Sequence, residues 1–333
     1  MRFHVNTKLL TLRAVTFLLF CAPSLSLSPR QNQPKCENPV VRKEWNKLSP
    51  EERDSYIKAV SCLTTKPSKI KLPTTLYDDF TWVHQQIFDE VHIGSNRVLA
   101  QFLPWHRYFG LIYETALKDC GYIGALPYWD WTLYTSDPIH SPILTAPPIG
   151  LGPDGTTSRS CVYNPNLPPK CVASGPFAGL RPMYSTGGTR AHSLHRCYTC
   201  SSPTMLSHQY TPGVVNRIQD IRGFADFGPA LFSGPHQAIH EAVGGDFPRV
   251  FSPNDPLFFP HHAQIDRLWW KWQQTDLEHR LFQYEGFSQP LSENRLSGAR
   301  TSDRVRMLGL AMDLNVIDLM DTQNGRLCYI YED

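Results

Sequence analysis

Apolar residues recur at helical spacing in five stretches of this 333-residue chain, and between them the pattern breaks down. The first, ENPVVRKEWNKLSPEERDSYIKAVSCL, predicts a helix entered at Ser49, whose hydroxyl suits an N-cap, with Pro50 at the first helical position where its missing N–H costs nothing. TTLYDDFTWVHQQIFDEVH and PWHRYFGLIYETALKDCG predict two more, the second stopped by Gly121, which tolerates the left-handed backbone of a helix end. GPHQAIHEAV and PHHAQIDRLWWKWQQTDLEHRLFQ supply the fourth and fifth. The expectation is a mainly α fold, a helical bundle with long Pro- and Gly-rich loops and few short strands.

From about Ser136 to Gly213 the chain is dense in Pro, Gly, Ser and Thr and shows no sustained period. Such a stretch inside a compact domain is expected to wrap the surface and be tied by cysteines. The tail from Leu308 carries short apolar runs suited to small strands, and no second domain is expected.

Charge and compartment narrow the function classes. With 32 basic and 30 acidic residues there is no basic stripe, so nucleic acid is not an expected partner. At the N-terminus Arg2, Lys8 and Arg13 precede the apolar run AVTFLLFCA and the segment Ser24-Leu25-Ser26, whose two serines are small enough for a cleavage site. That run is far shorter than the ~20 residues that span a bilayer, so residues 1–28 read as a secretory signal and 29–333 as one domain. A secreted protein with no membrane association after signal removal follows. Of nine cysteines, Cys21 lies in the signal; the remaining eight suggest disulfides, with on the order of a hundred possible pairings.

The candidate chemistry lies in six histidines that form two triplets: His84, His92 and His106, then His236, His240 and His262. Imidazoles without thiolate or carboxylate partners suit copper, zinc, iron or nickel, and a repeated set suggests two equivalent ions in a binuclear centre. His236 and His240 are four apart and share a helix face. Asp266, four residues after His262, is placed to accept a hydrogen bond from its ring and fix the tautomer. His261 adjoins His262, but helix neighbours point about 100° apart, so both are not expected to bind one ion. His192, His195, Cys197 and Cys200 have the spacing of a zinc knuckle, though in an oxidising compartment a disulfide-linked loop is the better reading.

FLPWHR after two upstream histidines, then HxxxH, then NDPLFFPHHAQIDRLW, resembles the tyrosinase family of coupled binuclear copper proteins, and the match runs from Cys36 to LCYIYED. Within that family the chain is most similar to the short fungal secreted polyphenol oxidases, which carry no C-terminal shielding domain. The resemblance implies two copper ions and no organic cofactor, with one ion on His84, His92 and His106 and the other on His236, His240 and His262. It gives the ligand role to the second of the paired histidines, leaving His261 behind it. Some relatives cross-link a cysteine to the second histidine of the first site; no cysteine lies near His92, so no thioether is expected. The implied reaction oxidises a phenolic small molecule to an o-quinone with O2. Relatives that hydroxylate monophenols often carry Asn after the first ligand of the second site, where with a Glu it is thought to hold a water. Here Gln237 stands there, and Glu241 follows the next ligand where some relatives place Arg. These two positions are expected to tune substrate choice, favouring o-diphenols over monophenols. A true monophenol monooxygenase, an o-aminophenol oxidase of secondary metabolism and a haemocyanin-like oxygen carrier are the alternatives. A zinc hydrolase lacks support, since no HExxH motif is present.

Overall fold

The structure is a computed structural model that describes Met1 and residues 36–332, apart from 95–96, 146–147, 160, 162–169 and 290–295. The chain divides into two compact units, Met1–Pro34 and Lys35–Asp333. The signal reading falls outside the described residues. No described helix is long and apolar enough to cross a membrane.

Helix α1 (Pro50–Leu63) starts as expected, with the Ser49 hydroxyl accepting from the Glu52 N–H and the Glu52 carboxylate accepting from the Ser49 N–H. Its buried residues Tyr56, Ala59, Val60 and Leu63 make one stripe. Helix α2 (Leu76–Val91) has the same device in Thr75 and Asp78, and buries Phe80, Val83, His84, Ile87 and Val91. His84 thus occupies a core position in an apolar stripe. Helix α3 (Phe102–Asp119) begins two residues before the predicted Pro104, because proline in a first turn forfeits no helical hydrogen bond. It ends where Gly121 takes φ 87°.

Two short helices, α4 (Pro212–Gln219) and α5 (Phe224–Leu231), precede the HxxxH segment and were not expected. A kinked turn over Phe232–His236 then leads into α6 (Gln237–Val243), so GPHQAIHEAV is not one continuous helix. Gly234, with φ −93° and ψ −109°, and Pro235 account for the break. The last predicted helix is also two: α7 (Phe258–Gln274) and the single turn α8 (Leu277–Arg280), restarted at Asp276, whose carboxylate accepts from the His279 N–H.

Helices α3 and α7 pack together at the centre, flanked by α1 and α2. Tyr113 of α3 stacks on Phe259 of α7 with centroids 3.4 Å apart, and Phe80 of α2 meets both edge-on. The strands are few and short. Val40–Arg42 pairs in parallel with Tyr329–Tyr331, so the tail closes against the start of the unit rather than against itself. The Cys36–Cys328 disulfide reinforces that closure, and Cys62–Cys120 joins α1 to α3.

The stretch 136–213 is tied by Cys161–Cys171 and by Cys197–Cys200 near its end, but it does not simply wrap the surface. Leu151, Val172, Phe177, Leu194 and Tyr198 are buried in the core. Single apolar residues at irregular spacing leave no period to read, yet each removes a whole side chain from water.

Candidate metal centre

Every one of the six predicted histidines is buried, and the fold gathers them into two groups. His84 comes from the middle of α2, His92 from its C-terminal end and His106 from the first turns of α3; one ring nitrogen from each lies within 4.8 Å of the others. His236 ends the kinked turn, His240 lies on α6 and His262 on α7, and with His261 they form a second group under the same limit. The groups touch. The rings of His106 and His262 stack with centroids 4.2 Å apart and planes 12° from parallel.

The backbone chooses the tautomers. Nδ1 of His84 donates to the Val250 carbonyl at 2.7 Å, that of His92 to Phe88 at 3.1 Å, and that of His106 to Phe102 at 2.7 Å. In the second group His236 donates to the Phe232 carbonyl at 3.2 Å and His240 to Phe247 at 2.6 Å. A carbonyl only accepts, so the hydrogen is on Nδ1 and the Nε2 lone pair is left for another purpose. Nε2 of His84, His106 and His236 is buried with no partner among the described residues. Burial holds His84 down to about 3 and His240 to about 4, and depresses His92, His106, His236 and His262 well below the usual imidazole value. Neutral buried rings, five of them with the Nε2 lone pair left open, are what a divalent or monovalent soft-to-borderline metal requires, and the donor set fits a pair of copper ions.

His240 owes its carbonyl partner to a tight turn. Gly244 and Gly245 take φ 65° and 62°, and they pass so close to the backbone of Cys197 and His195 that no side chain would fit. That turn brings the Phe247 carbonyl back over the ring. The segment with knuckle spacing therefore braces the site and is no metal knuckle: Cys197 and Cys200 are joined, and His192 bonds Asp246 at 2.9 Å.

Asp266 does not do what its spacing suggested. Its carboxylate accepts from Arg107 at 2.6 Å, Tyr329 at 2.5 Å, Tyr331 at 2.6 Å and Arg42 at 3.4 Å, whereas His262 Nδ1 has no partner among the described residues. Charged guanidinium groups are stronger partners for a buried carboxylate than a neutral imidazole N–H, and they claim it. Arg107 follows His106 on α3, so this ion pair locks α3 to α7, the helix that carries His262. Nothing in the spacing alone announced the carbonyls of Val250 and Phe247; Arg107, next to His106, was the one readable hint.

Gln237 and Glu241 lie half-buried one turn apart on α6, with the Gln237 amide donating to the Glu241 carboxylate at 3.0 Å. Phe102 and Phe258 line the histidines, with centroids 4.7 Å from His236 and 4.1 Å from His262. His261 accepts a hydrogen bond from the Trp131 indole and so differs from every other ring in the cluster.

Two abutting groups of neutral imidazoles inside a helical bundle could hold a pair of metal ions. Residues 74–275 match the common central domain of tyrosinase. The chain is 39% identical over 320 residues to the tyrosinase-like protein phomQ1 of Diaporthe leptostromiformis, covering 90% of this chain and 79% of that one. It is 30% identical over 351 residues to the N-acetyl-6-hydroxytryptophan oxidase ivoB of Emericella nidulans, covering 90% and 94%. A solved polyphenol oxidase variant from Thermothelomyces thermophila superposes with a TM-score of 0.73 at 28% identity, over 90% of this chain and 91% of that one. The chain belongs to the tyrosinase family. It is a copper oxidoreductase of that type.

Proposed function

We propose that the chain oxidises o-diphenols to o-quinones with O2, at two coppers held by His84, His92 and His106 and by His236, His240 and His262. The observation that carries this is the stacking of His106 on His262, which sets the two triplets side by side. When bound, the copper pair supplies the electron transfer: two diphenols give up four electrons and four protons as one O2 becomes two waters.

The chain's own residues set the conditions. The carbonyls of Val250, Phe88, Phe102, Phe232 and Phe247 hold five rings in the ligating tautomer, so little reorganisation is needed when a metal arrives. Phe102 and Phe258 exclude water and suit an aromatic substrate. Gln237 directs one of its two amide N–H bonds at Glu241 rather than at a water that would deprotonate a monophenol. That supports diphenol oxidation with weak hydroxylation of monophenols.

Secretion is part of the same proposal. It is supported by the leader composition and by disulfides that close every cysteine outside it, as expected of an oxidising compartment.

The test is a panel of catechols, monophenols, o-aminophenols and hydroxyindoles on copper-loaded protein, the last class included because the ivoB relative is an N-acetyl-6-hydroxytryptophan oxidase. Brisk quinone formation from catechols with O2 uptake is expected. Preference for o-aminophenols or hydroxyindoles would redirect the substrate class, and reversible O2 binding without turnover would make it a carrier.

A further inference from the structure

We propose that His261 is a positioning residue that donates an N–H into the metal position of the second triplet, set in that tautomer by Trp131, and is not a fourth ligand. This rests on the dicopper reading above. The Trp131 indole nitrogen lies 3.3 Å from His261 Nδ1. An indole can only donate, so Nδ1 is the acceptor and the ring hydrogen sits on Nε2. Five other rings in the cluster show the reverse order, with the hydrogen on Nδ1 against a carbonyl. Ligation needs an Nε2 lone pair, and His261 has no such lone pair to give.

Trp131 is not free to leave this contact. Its helical turn is capped by Asp130, which also accepts from Gln264 at 2.9 Å and Arg267 at 3.2 Å, both on the helix that carries His261. The tautomer is therefore built into the packing of that turn on α7. His261 Nε2 is buried without a partner among the described residues, and the ring sits 5.0 Å from His240 and 5.5 Å from His236. A buried N–H with no acceptor is disfavoured until one arrives. The acceptor that fits here is a small anion or an anionic oxygen bound at the second copper.

Copper content is measured first, and fewer than two ions per wild-type chain would fail the dicopper reading itself. With two bound, azide is titrated into the oxidised protein and followed by visible absorption. His261→Phe is expected to keep both ions and raise the azide Kd roughly tenfold to hundredfold, as for a lost hydrogen bond to a charged group. His261→Gln, which retains an N–H, should stay near wild type. Nitrogen NMR of the histidine rings in the diamagnetic cuprous protein reads the unaltered chain directly, with His261 identified by its loss in His261→Gln; hydrogen on Nε2 is expected. A copper lost from His261→Phe, an unprotonated Nε2, or an unchanged azide Kd with both coppers present would each overturn the proposal. The NMR measurement does so even where His261→Phe fails to fold.

Discussion

His261 and His262 are neighbours on α7 and both turn Nε2 toward the other rings, but the Trp131 contact puts a hydrogen on that atom of His261, so truncating each should read out differently. His262→Ala is expected to lose one copper and abolish quinone formation, while His261→Ala keeps both ions; metal analysis of the two variants checks this, and the reverse pattern would exchange their roles. Gln237→Asn is the second test among single residues. The shorter amide no longer spans the turn to Glu241 and can turn toward the cavity. The ratio of monophenol to o-diphenol turnover should rise, by up to about 10²-fold where water-assisted deprotonation is restored. Rates for tyramine and catechol measured at one pH decide it, and an unchanged ratio removes Gln237 from substrate control. The six candidate ligands were legible because, of the thirteen histidines, they fall in two triplets with distinctive spacing. The groups that orient them were not, because Val250 and Phe247 act through backbone carbonyls that any residue would supply.

Among the elements, the pairing of α3 with α7 depends on Asp266, whose carboxylate takes two guanidinium groups and two phenols. Asp266→Asn leaves Arg107 without its charged partner in a buried place, a change that costs about 3–5 kcal/mol. The metal-free protein should melt at a clearly lower temperature, while copper content at saturating metal stays at two. An unchanged melting temperature would show that Leu319 and Met320, whose carbonyls also accept from Arg107, suffice alone. The long helices could be read from capping residues and apolar period. Helices α4 and α5 were missed because Gly213, Gly223, Gly228 and Pro229 break the period into pieces too short to register. The Thr211 and Pro212 start of α4 repeats the Ser49 and Pro50 signal of α1 and was there to be found.

Across the chain as a whole, a cluster of buried neutral histidines makes the metal-free protein sensitive to acid. His84 and His240 titrate at about 3 and about 4 in the folded state because burial disfavours their charged forms. In the unfolded chain they titrate near about 6.5, so the unfolded state binds more protons as pH falls below that value. Stability is full above about 6.5 and declines toward pH 4 at roughly 1.4 kcal/mol per pH unit for each such group. Melting curves of chelator-stripped protein should show this decline, and copper loading should move it to lower pH because the ions compete with protons for the rings. A flat profile would mean the rings are not buried as described. The binuclear centre itself is tested most directly by copper analysis combined with electron paramagnetic resonance on the same oxidised sample. Two coppers per chain with almost no Cu(II) signal is the expected result, since adjacent ions sharing a bridging ligand cancel one another's spins. One copper per chain, or two that each give a full independent signal, would contradict a single paired site.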